Sequence, residues 1–287
     1  MMTPIEDDDL AAKYFICKTL VVRHAMIWGK QGLQFVFERL LKVALRGMNY
    51  GRASDYLNNG ELEALSWVKD QLRSPKEGLT LFDVGANKGE FSRRIVEVFR
   101  GRPFQLYAFE PSRKTYAYLQ EFLQHKEGIH LINLGLGERP DSVELYSDRE
   151  GSGLASVYPR DLAFRNINFS NHETIELTTL DMFCEQNGIA LIDFLKLDVE
   201  GHELAVLRGG QKMFSSGRVK MVQFEFGGCN IDSRTFFKDY MNFFAAEFDV
   251  YRILSNGLRR IESYNERLEV FQSANYLAVK KGLAKTA

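Results

Sequence analysis

LTLFDVGANKGEFS, the stretch Leu79–Ser92, contains the pattern that decides the fold. Its apolar run ends at Asp83 and passes directly into the turn Gly85–Gly89. A helix-like segment, Glu90–Arg100, follows. A buried strand, a tight glycine turn and a helix N-terminus in this order are typical of α/β proteins that bind a nucleotide-like cofactor with backbone N–H groups.

A second strand is predicted over Phe104–Phe109, and Glu110 follows it. An acid at the end of the second strand of a βαβ unit is placed to accept hydrogen bonds from ribose hydroxyls. The turn does not match the dinucleotide pattern G-x-G-x-x-G, because Asn87 stands where the second glycine would be, and it is not a P-loop. These features predict a cofactor with a ribose but no phosphate chain, for which S-adenosyl-L-methionine is the common candidate.

Another buried strand is predicted over Phe194–Asp198, within the sequence LKLDVEGHE. Together, FDVGANKG, FEPS, LKLDVEGHE and LRGG make the chain resemble the FkbM family of class I S-adenosylmethionine-dependent methyltransferases over roughly residues 59–280. The resemblance implies O-methylation of hydroxyls, mostly on sugars. The turn, the strand ends and the resemblance indicate a set of cofactor-binding residues: Asp83, Gly85, Ala86, Asn87, Gly89, Glu110, Pro111, Leu136 and Asp198. For Asp83 a structural ion pair is an equal alternative.

The end of the strand Phe194–Asp198 and the residues that follow it supply three candidates for a catalytic role. Asp198 ends the strand nearest the expected reaction centre and is the first candidate, with Glu200 next to it. Glu200 precedes a helix start, so helix-dipole stabilisation is its alternative role. His202 is either a general base, since an imidazole titrates near neutral pH, or an exposed helix residue.

Metal binding is a further alternative at this edge of the sheet. Asp198 and Glu225 would project from neighbouring strand ends, where two carboxylates could share a Mg²⁺ that acidifies a diol. The resemblance does not require a metal, and we do not favour one. Lys196 lies inside the strand and needs a carboxylate partner, for which Asp198 and Glu225 are both placed.

The predicted fold is α/β: a class I methyltransferase (Rossmann-like) seven-stranded, mostly parallel sheet with an N-terminal helical extension. We expect residues 1–75 to form the extension, as a cap or a homodimer contact, and residues 76–287 to form the methyltransferase domain. The predicted strands are Leu79–Val84, Phe104–Phe109, His130–Leu136, Phe194–Asp198, Met221–Phe226, Val250–Leu254 and Tyr276–Lys280. Asn256-Gly257 is a hairpin signal between the last two strands. Ser142–Tyr146 and Glu173–Leu177 are predicted as extra strands, and the loop Asp148–Ser156 as a lid.

Net charge, cysteine spacing and hydrophobicity limit the classes of partner and the cellular compartment that we expect for this protein. The 287 residues carry a formal net charge of −1, so no overall charge draws the molecule to nucleic acid or an anionic membrane. Cys17, Cys184 and Cys229 are far apart and have no metal-like spacing, so they are predicted to be buried thiols in a reducing cytoplasm. Tyr14–Trp28 is apolar but interrupted by charges and is predicted as an amphipathic helix, with a membrane role as the lesser alternative.

Two other functions stay open at this point. An NAD-dependent oxidoreductase or epimerase would use a related fold, but the turn pattern disfavours it, and neither Tyr116 nor Tyr118 is followed by a Lys four positions later, as a catalytic Tyr-x-x-x-Lys pair would require. A non-catalytic cofactor-binding module is the second alternative. The presence of acids at Glu110, Asp198 and Glu200 disfavours it, because a module that had lost turnover would not need to keep them.

Overall fold

A computed structural model describes residues 28–52, 59–72, 78–124 and 126–283. The chain divides into two units, Met1–Met48 and Asn49–Ala287. In the first unit the structure describes a 3₁₀ turn, Gln31–Leu33, and helix α1, Gln34–Gly47. The predictions for Cys17 and for most of Tyr14–Trp28 lie outside the described residues. The role of the extension as a cap or dimer contact stays a prediction.

The second unit alternates strands and helices. Its strands are β1 Leu79–Val84, β2 Phe104–Phe109, β3 Ile129–Ile132, β4 Gly135–Leu136, β5 Asp141–Ser147, β6 Asn171–Thr178, β7 Phe194–Leu197, β8 Met221–Phe226, β9 Phe248–Leu254, β10 Gly257–Arg260 and β11 Ala274–Lys280. Its helices are α2 Glu61–Gln71, α3 Glu90–Val98, α4 Arg113–Leu123, α5 Leu180–Gln186, α6 Glu203–Gly209, α7 Gln211–Ser215, α8 Cys229–Asp232 and α9 Phe237–Phe244. Two further 3₁₀ turns are Ala163–Arg165 and Glu266–Leu268.

The main sheet has the strand order β10-β9-β11-β8-β7-β1-β2-β3. The five strands from β8 to β3 are mutually parallel, and β11 lies antiparallel between β8 and β9. The predicted α/β fold with a mostly parallel sheet is therefore confirmed, although the described residues form eight strands in this sheet and not seven. The difference arises at Asn256-Gly257, which turns the chain from β9 into the edge strand β10 and not into the last strand.

The third predicted strand, His130–Leu136, is wrong as a single element. The chain leaves the main sheet after Ile132, where the Asn133 side-chain amide donates hydrogen bonds to the carbonyl oxygens of Glu110 and Pro111 at 2.9 and 3.0 Å. Beyond this point β4 belongs to a second, three-stranded sheet of order β4-β6-β5. The two extra strands predicted between the third and fourth strands are present there as β5 and β6.

Apolar side chains join α2 and α3 to the main sheet. Ala64, Leu65 and Val68 of α2 have the helical spacing of a buried face and belong to one core cluster with Leu79 and Leu81 of β1. Helix α2, which the sequence analysis placed in the extension, is thus part of the second unit. No helix among the described residues is long and apolar enough to cross a membrane.

Candidate active site

The carboxyl ends of β1, β2 and β7 line a cavity of about 300 Å³. The second sheet supplies an apolar wall to it, with Leu145, Ile175 and Leu177. The cavity is lined by nine of the predicted site residues: Gly85, Ala86, Asn87, Glu110, Pro111, Leu136, Asp198, Glu200 and His202. Asp83, Gly89 and Glu225 do not line it. The topology therefore brings together side chains that are more than 100 positions apart in the sequence.

The glycine turn is shaped by its packing against β7 and α4. Gly85 has φ +83°, and a Cβ atom there would lie 1.9 Å from the backbone oxygen of Asp198. Gly89 has φ +87°, and a Cβ atom there would lie 2.8 Å from Leu119 Cδ1. Only glycine tolerates both the left-handed backbone and the close approach. The packing of the turn alone therefore requires glycine at both positions.

Glu110 is held by backbone N–H groups at the end of β2. Its Oε2 accepts a hydrogen bond from Asn87 N at 2.9 Å, and its Oε1 accepts one from Ser112 N at 3.0 Å. Burial raises the pKa of Glu110 to about 7, although both backbone hydrogen bonds act to lower it. Each carboxylate oxygen can accept more than one hydrogen bond, so the group keeps capacity for a ligand in the cavity.

Asp83 lies beneath the turn and is fully buried. Ser92 Oγ of α3 donates a 2.6 Å hydrogen bond to its Oδ2, while Oδ1 has no hydrogen-bond partner within the described residues. Burial raises the pKa of Asp83, and the positive charge of Lys196 acts against that rise. Asp83 therefore connects β1 to α3 next to a buried cation, which fits the structural alternative better than direct cofactor contact.

Lys196 has the carboxylate partner that its buried position requires. Its Nζ atom donates a 2.8 Å hydrogen bond to Asp198 Oδ2 and lies 4.7 Å from the centre of the Phe91 ring. Burial acts to lower the pKa of Lys196, but the carboxylates of Asp198, Asp83 and Glu61 outweigh it, so the pKa is raised. Asp198 thus faces the cavity with one oxygen already engaged by an ammonium group.

Glu61 of α2 is a cavity residue that the sequence analysis did not identify. It is 4% exposed, and Gln223 Nε2 and Asn59 Nδ2 each donate a 2.8 Å hydrogen bond to its carboxylate. Burial raises the pKa of Glu61, while Lys196 acts to lower it. No motif marks Glu61, because its place in the site depends on how α2 packs on the sheet.

The segment after β7 is fixed from inside by Glu203. Glu203 Oε1 accepts a hydrogen bond from Val199 N at 2.9 Å, and its Oε2 accepts one from Gly201 N at 3.0 Å. Burial raises the pKa of Glu203 to about 7. Glu200 stands between these anchors with φ +51°, an uncommon backbone conformation for a residue other than glycine. A strained backbone held from both sides is a frequent feature of functional sites.

His202 lines the cavity and is half-buried, so the interpretation as an exposed helix residue is wrong. Its Nδ1 atom lies 2.9 Å from the hydroxyl oxygen of Tyr158, and its Nε2 atom is buried without a hydrogen-bond partner in the described residues. Burial lowers the pKa of His202 to about 4, so the imidazole is neutral at pH 7. A neutral imidazole whose Nδ1 is engaged by a hydroxyl has one nitrogen left for a ligand.

The predicted lid, Asp148–Ser156, forms one wall of the cavity through Gly151, Ser152, Gly153 and Ala155. Asn87 Nδ2 donates a 3.0 Å hydrogen bond to the backbone oxygen of Ser152, which ties this wall to the glycine turn. Lys114 forms an ion pair with Glu150 on its outer side. The location at the carboxyl edge of the sheet agrees with the prediction, and opening of the lid stays a prediction.

The carboxylates give little support to the alternative of a metal centre. Among the residues that the structure describes, no three His, Cys, Asp or Glu side chains form a group that could hold a metal ion. Glu225 does not line the cavity, and burial, followed by the charge of Asp198, raises its pKa. Lys196 already engages one oxygen of Asp198, which leaves fewer carboxylate oxygens for a shared Mg²⁺.

Comparison with known proteins identifies a family. The family model of the methyltransferase FkbM domain matches residues 83–256. The 2-O-methyltransferase NoeI of Sinorhizobium fredii (strain NBRC 101917 / NGR234) is 25% identical over 149 residues, which are 48% of this chain and 60% of that protein. The chain therefore spans less than two thirds of the length of that curated relative.

Solved structures that resemble the chain are more distant. The methyltransferase FkbM from Methylobacillus flagellatus KT is 17% identical, with a TM-score of 0.44 and coverage of 70% of this chain and 44% of that one. A putative rRNA methylase from Clostridium thermocellum is 10% identical, with a TM-score of 0.40 and coverage of 77% and 97%. Since the family model matches more than half of the residues, the chain belongs to the FkbM family of methyltransferases.

Proposed function

We propose that this protein is an S-adenosylmethionine-dependent O-methyltransferase whose acceptor is a hydroxyl of a sugar, a glycan or a glycosylated metabolite. The observation that carries the proposal is the Glu110 carboxylate, which two backbone N–H groups fix beside the glycine turn in the cavity. Family membership supports methyl transfer over the oxidoreductase alternative. The relative NoeI is a 2-O-methyltransferase, which supports oxygen as the acceptor atom.

The residues of the cavity suit an adenosine-containing cofactor with a positive charge. Glu110 offers acceptors for two ribose hydroxyls, and Pro111 and Leu136 offer apolar surface to a base. Asp198 faces the same cavity, and its carboxylate favours a positively charged sulfonium. When bound, the cofactor supplies an electrophilic methyl carbon.

The acceptor hydroxyl must lose its proton as its oxygen is methylated, and two side chains in the cavity are suited to take part. Burial and the neighbouring charge of Asp198 raise the pKa of Glu200, which makes its carboxylate a better proton acceptor near neutral pH than an ordinary glutamate. His202 is neutral, and its free Nε2 can form a hydrogen bond that orients the acceptor. We therefore assign proton removal to Glu200, orientation to His202, and charge balance to Asp198.

Transfer of a labelled methyl group tests this proposal directly. Wild-type protein is incubated with labelled S-adenosylmethionine and a panel of methyl glycosides and glycan extracts. In a second experiment, calorimetry compares the affinity of the protein for S-adenosylhomocysteine with its affinity for NAD. Glu200→Gln is expected to keep cofactor binding and lose at least about 10²-fold in turnover, whereas Asp198→Asn is expected to weaken the binding of S-adenosylmethionine. Asp141→Asn, an exposed surface change, is the matched control.

Three results would contradict the proposal in different ways. Preferential binding of NAD would favour the oxidoreductase alternative. Binding of S-adenosylhomocysteine without transfer to any member of the panel would exclude those acceptors and favour the non-catalytic module. Near wild-type turnover in Glu200→Gln would show that Glu200 is not the proton acceptor.

A further inference from the structure

Three alternating side chains at and beyond the end of the lid contact the two residues assigned to proton removal and orientation. Ser156 Oγ donates a 2.8 Å hydrogen bond to the backbone oxygen of Glu200. The Tyr158 hydroxyl lies 2.9 Å from His202 Nδ1, and Arg160 Nη1 lies 2.7 Å from Glu200 Oε2. Every second residue of this segment thus contacts the same loop, the one that follows β7. We name the segment Ser156–Arg160 the strap.

Arg160 makes the strongest of these contacts. Its side chain is only 6% exposed, and the Glu200 side chain is 16% exposed, so water screens this ion pair weakly. The Nε atom of Arg160 lies 3.3 Å from Asp232 Oδ2, which anchors the guanidinium to α8 from the other side. A planar guanidinium held at two points fixes the direction of each bound carboxylate more closely than a flexible ammonium would.

The backbone of Glu200 explains why the carboxylate needs such a partner. With φ +51° the residue has a conformation that side chains other than glycine rarely adopt, and Glu203 restrains only the peptide groups on either side of it. The direction of the Glu200 side chain is set by Arg160. Without this contact, the carboxylate would lie beside Asp198 with no bound cation of its own, because Lys196 already serves Asp198.

We propose that Arg160 is a positioning residue of this enzyme, which holds the Glu200 carboxylate toward the acceptor, and that the strap thereby joins the lid to the reaction centre. The inference rests on the proposed function, in which Glu200 receives the proton. The lid contacts the glycine turn through Ser152, and the strap continues from it to Glu200, so one continuous segment spans both ends of the cavity. Arg160 itself does not line the cavity and acts only through Glu200.

Kinetics of paired variants test the proposal, with labelled methyl transfer to whichever methyl glycoside the wild type uses. Arg160→Gln is expected to lower kcat by about 10²-fold, the effect of a small misplacement of a reacting group, and to leave KM for S-adenosylmethionine within about threefold. Arg160→Lys keeps the positive charge but loses the planar, two-pronged guanidinium, so its kcat should lie between those of the wild type and Arg160→Gln. The double variant Arg160→Gln, Glu200→Gln should be no slower than Glu200→Gln alone, because nothing remains to be positioned.

Asp232→Asn separates positioning from a structural role. It weakens the anchoring of Arg160 but leaves the contact with Glu200, so kcat should fall by less than in Arg160→Gln, while the melting temperature should fall by a similar amount. Equal kinetic losses in these two variants, or a further 10²-fold loss in the double variant, would overturn the proposal. If the wild type methylates no glycoside, the proposed function fails, and a crystal structure of Arg160→Gln decides the positioning role by itself. A displaced Glu200 side chain supports that role, and an unmoved one refutes it.

Discussion

The ionisation of Glu110 gives a quantitative prediction for cofactor binding. Ribose hydroxyls donate to a carboxylate more strongly than to a neutral carboxyl, so binding is expected to select the ionised form. Burial raises the pKa of Glu110 to about 7 in the unliganded protein. Affinity should therefore be constant above that pH and fall as the pH decreases below it. Between about pH 8 and about pH 5.5 the expected loss is about 30-fold, or about 2 kcal/mol.

Calorimetric titration with S-adenosylhomocysteine over this pH range measures the effect. Glu110→Gln should weaken binding by about 1–3 kcal/mol at the upper end of the pH range, and it should remove the part of the pH dependence that comes from this carboxylate. Any pH dependence that remains in Glu110→Gln, such as one from protonation of the ligand, can then be subtracted from the wild-type profile. Glu173→Gln is the matched control, because the charge of Glu173 contributes to the raised pKa of Glu110. This variant should keep the affinity at high pH and move the midpoint to lower pH. A flat wild-type profile, or unchanged affinity in Glu110→Gln, would remove the carboxylate from the ribose site.

Three other predictions concern stability and assembly. Gly85→Ala should lower the free energy of unfolding by about 2–5 kcal/mol, because the new Cβ atom would strain the backbone and clash with the Asp198 carbonyl oxygen. The control Gly153→Ala has open space at its Cβ atom and should leave this free energy nearly unchanged. Urea titrations of both variants measure the difference. His202 has a folded pKa lowered by burial to about 4, so its contribution to stability is present above its unfolded pKa of 6.5 and is lost as the pH falls through 4. Relative to His202→Asn, the wild type should lose about 3 kcal/mol between those limits, and parallel pH curves for the two proteins would contradict this. Deletion of residues 1–46 should cause aggregation or change the oligomeric state in size-exclusion chromatography, and an unchanged, active protein would show the extension to be dispensable.

The sequence predicted the parallel part of the sheet well, because buried strands between turns leave a local signal. The strands β1, β2 and β8 have the predicted bounds. The antiparallel edge was harder, since a hairpin signal at Asn256-Gly257 identifies a turn but not which strand follows it. The break between β3 and β4 depends on hydrogen bonds from the Asn133 side chain to a distant loop, and no local pattern encodes such contacts.

The candidate site shows the same division between local and distant information. Residues at strand ends, such as Glu110 and Asp198, could be predicted because the topology of a parallel sheet brings its carboxyl ends together. Glu61, Tyr158 and Arg160 could not, because their positions depend on the packing of α2 and on the path of the strap. The alternation of Ser156, Tyr158 and Arg160 is visible in the sequence, but nothing there indicates which loop these residues contact.

The string K-x-D-x-E-G-x-E is one motif in the sequence and has several physical roles in the structure. Lys196 supplies a buried cation to Asp198, which leaves that carboxylate in the cavity with one oxygen engaged. Glu203 faces inward and satisfies the backbone N–H groups around a strained residue, so its loss would impair folding of the loop. Glu200, the strained residue itself, is directed by a guanidinium from a separate segment. Variants along this motif should consequently separate, with changes at Glu203 lowering stability first and changes at Glu200 lowering turnover first.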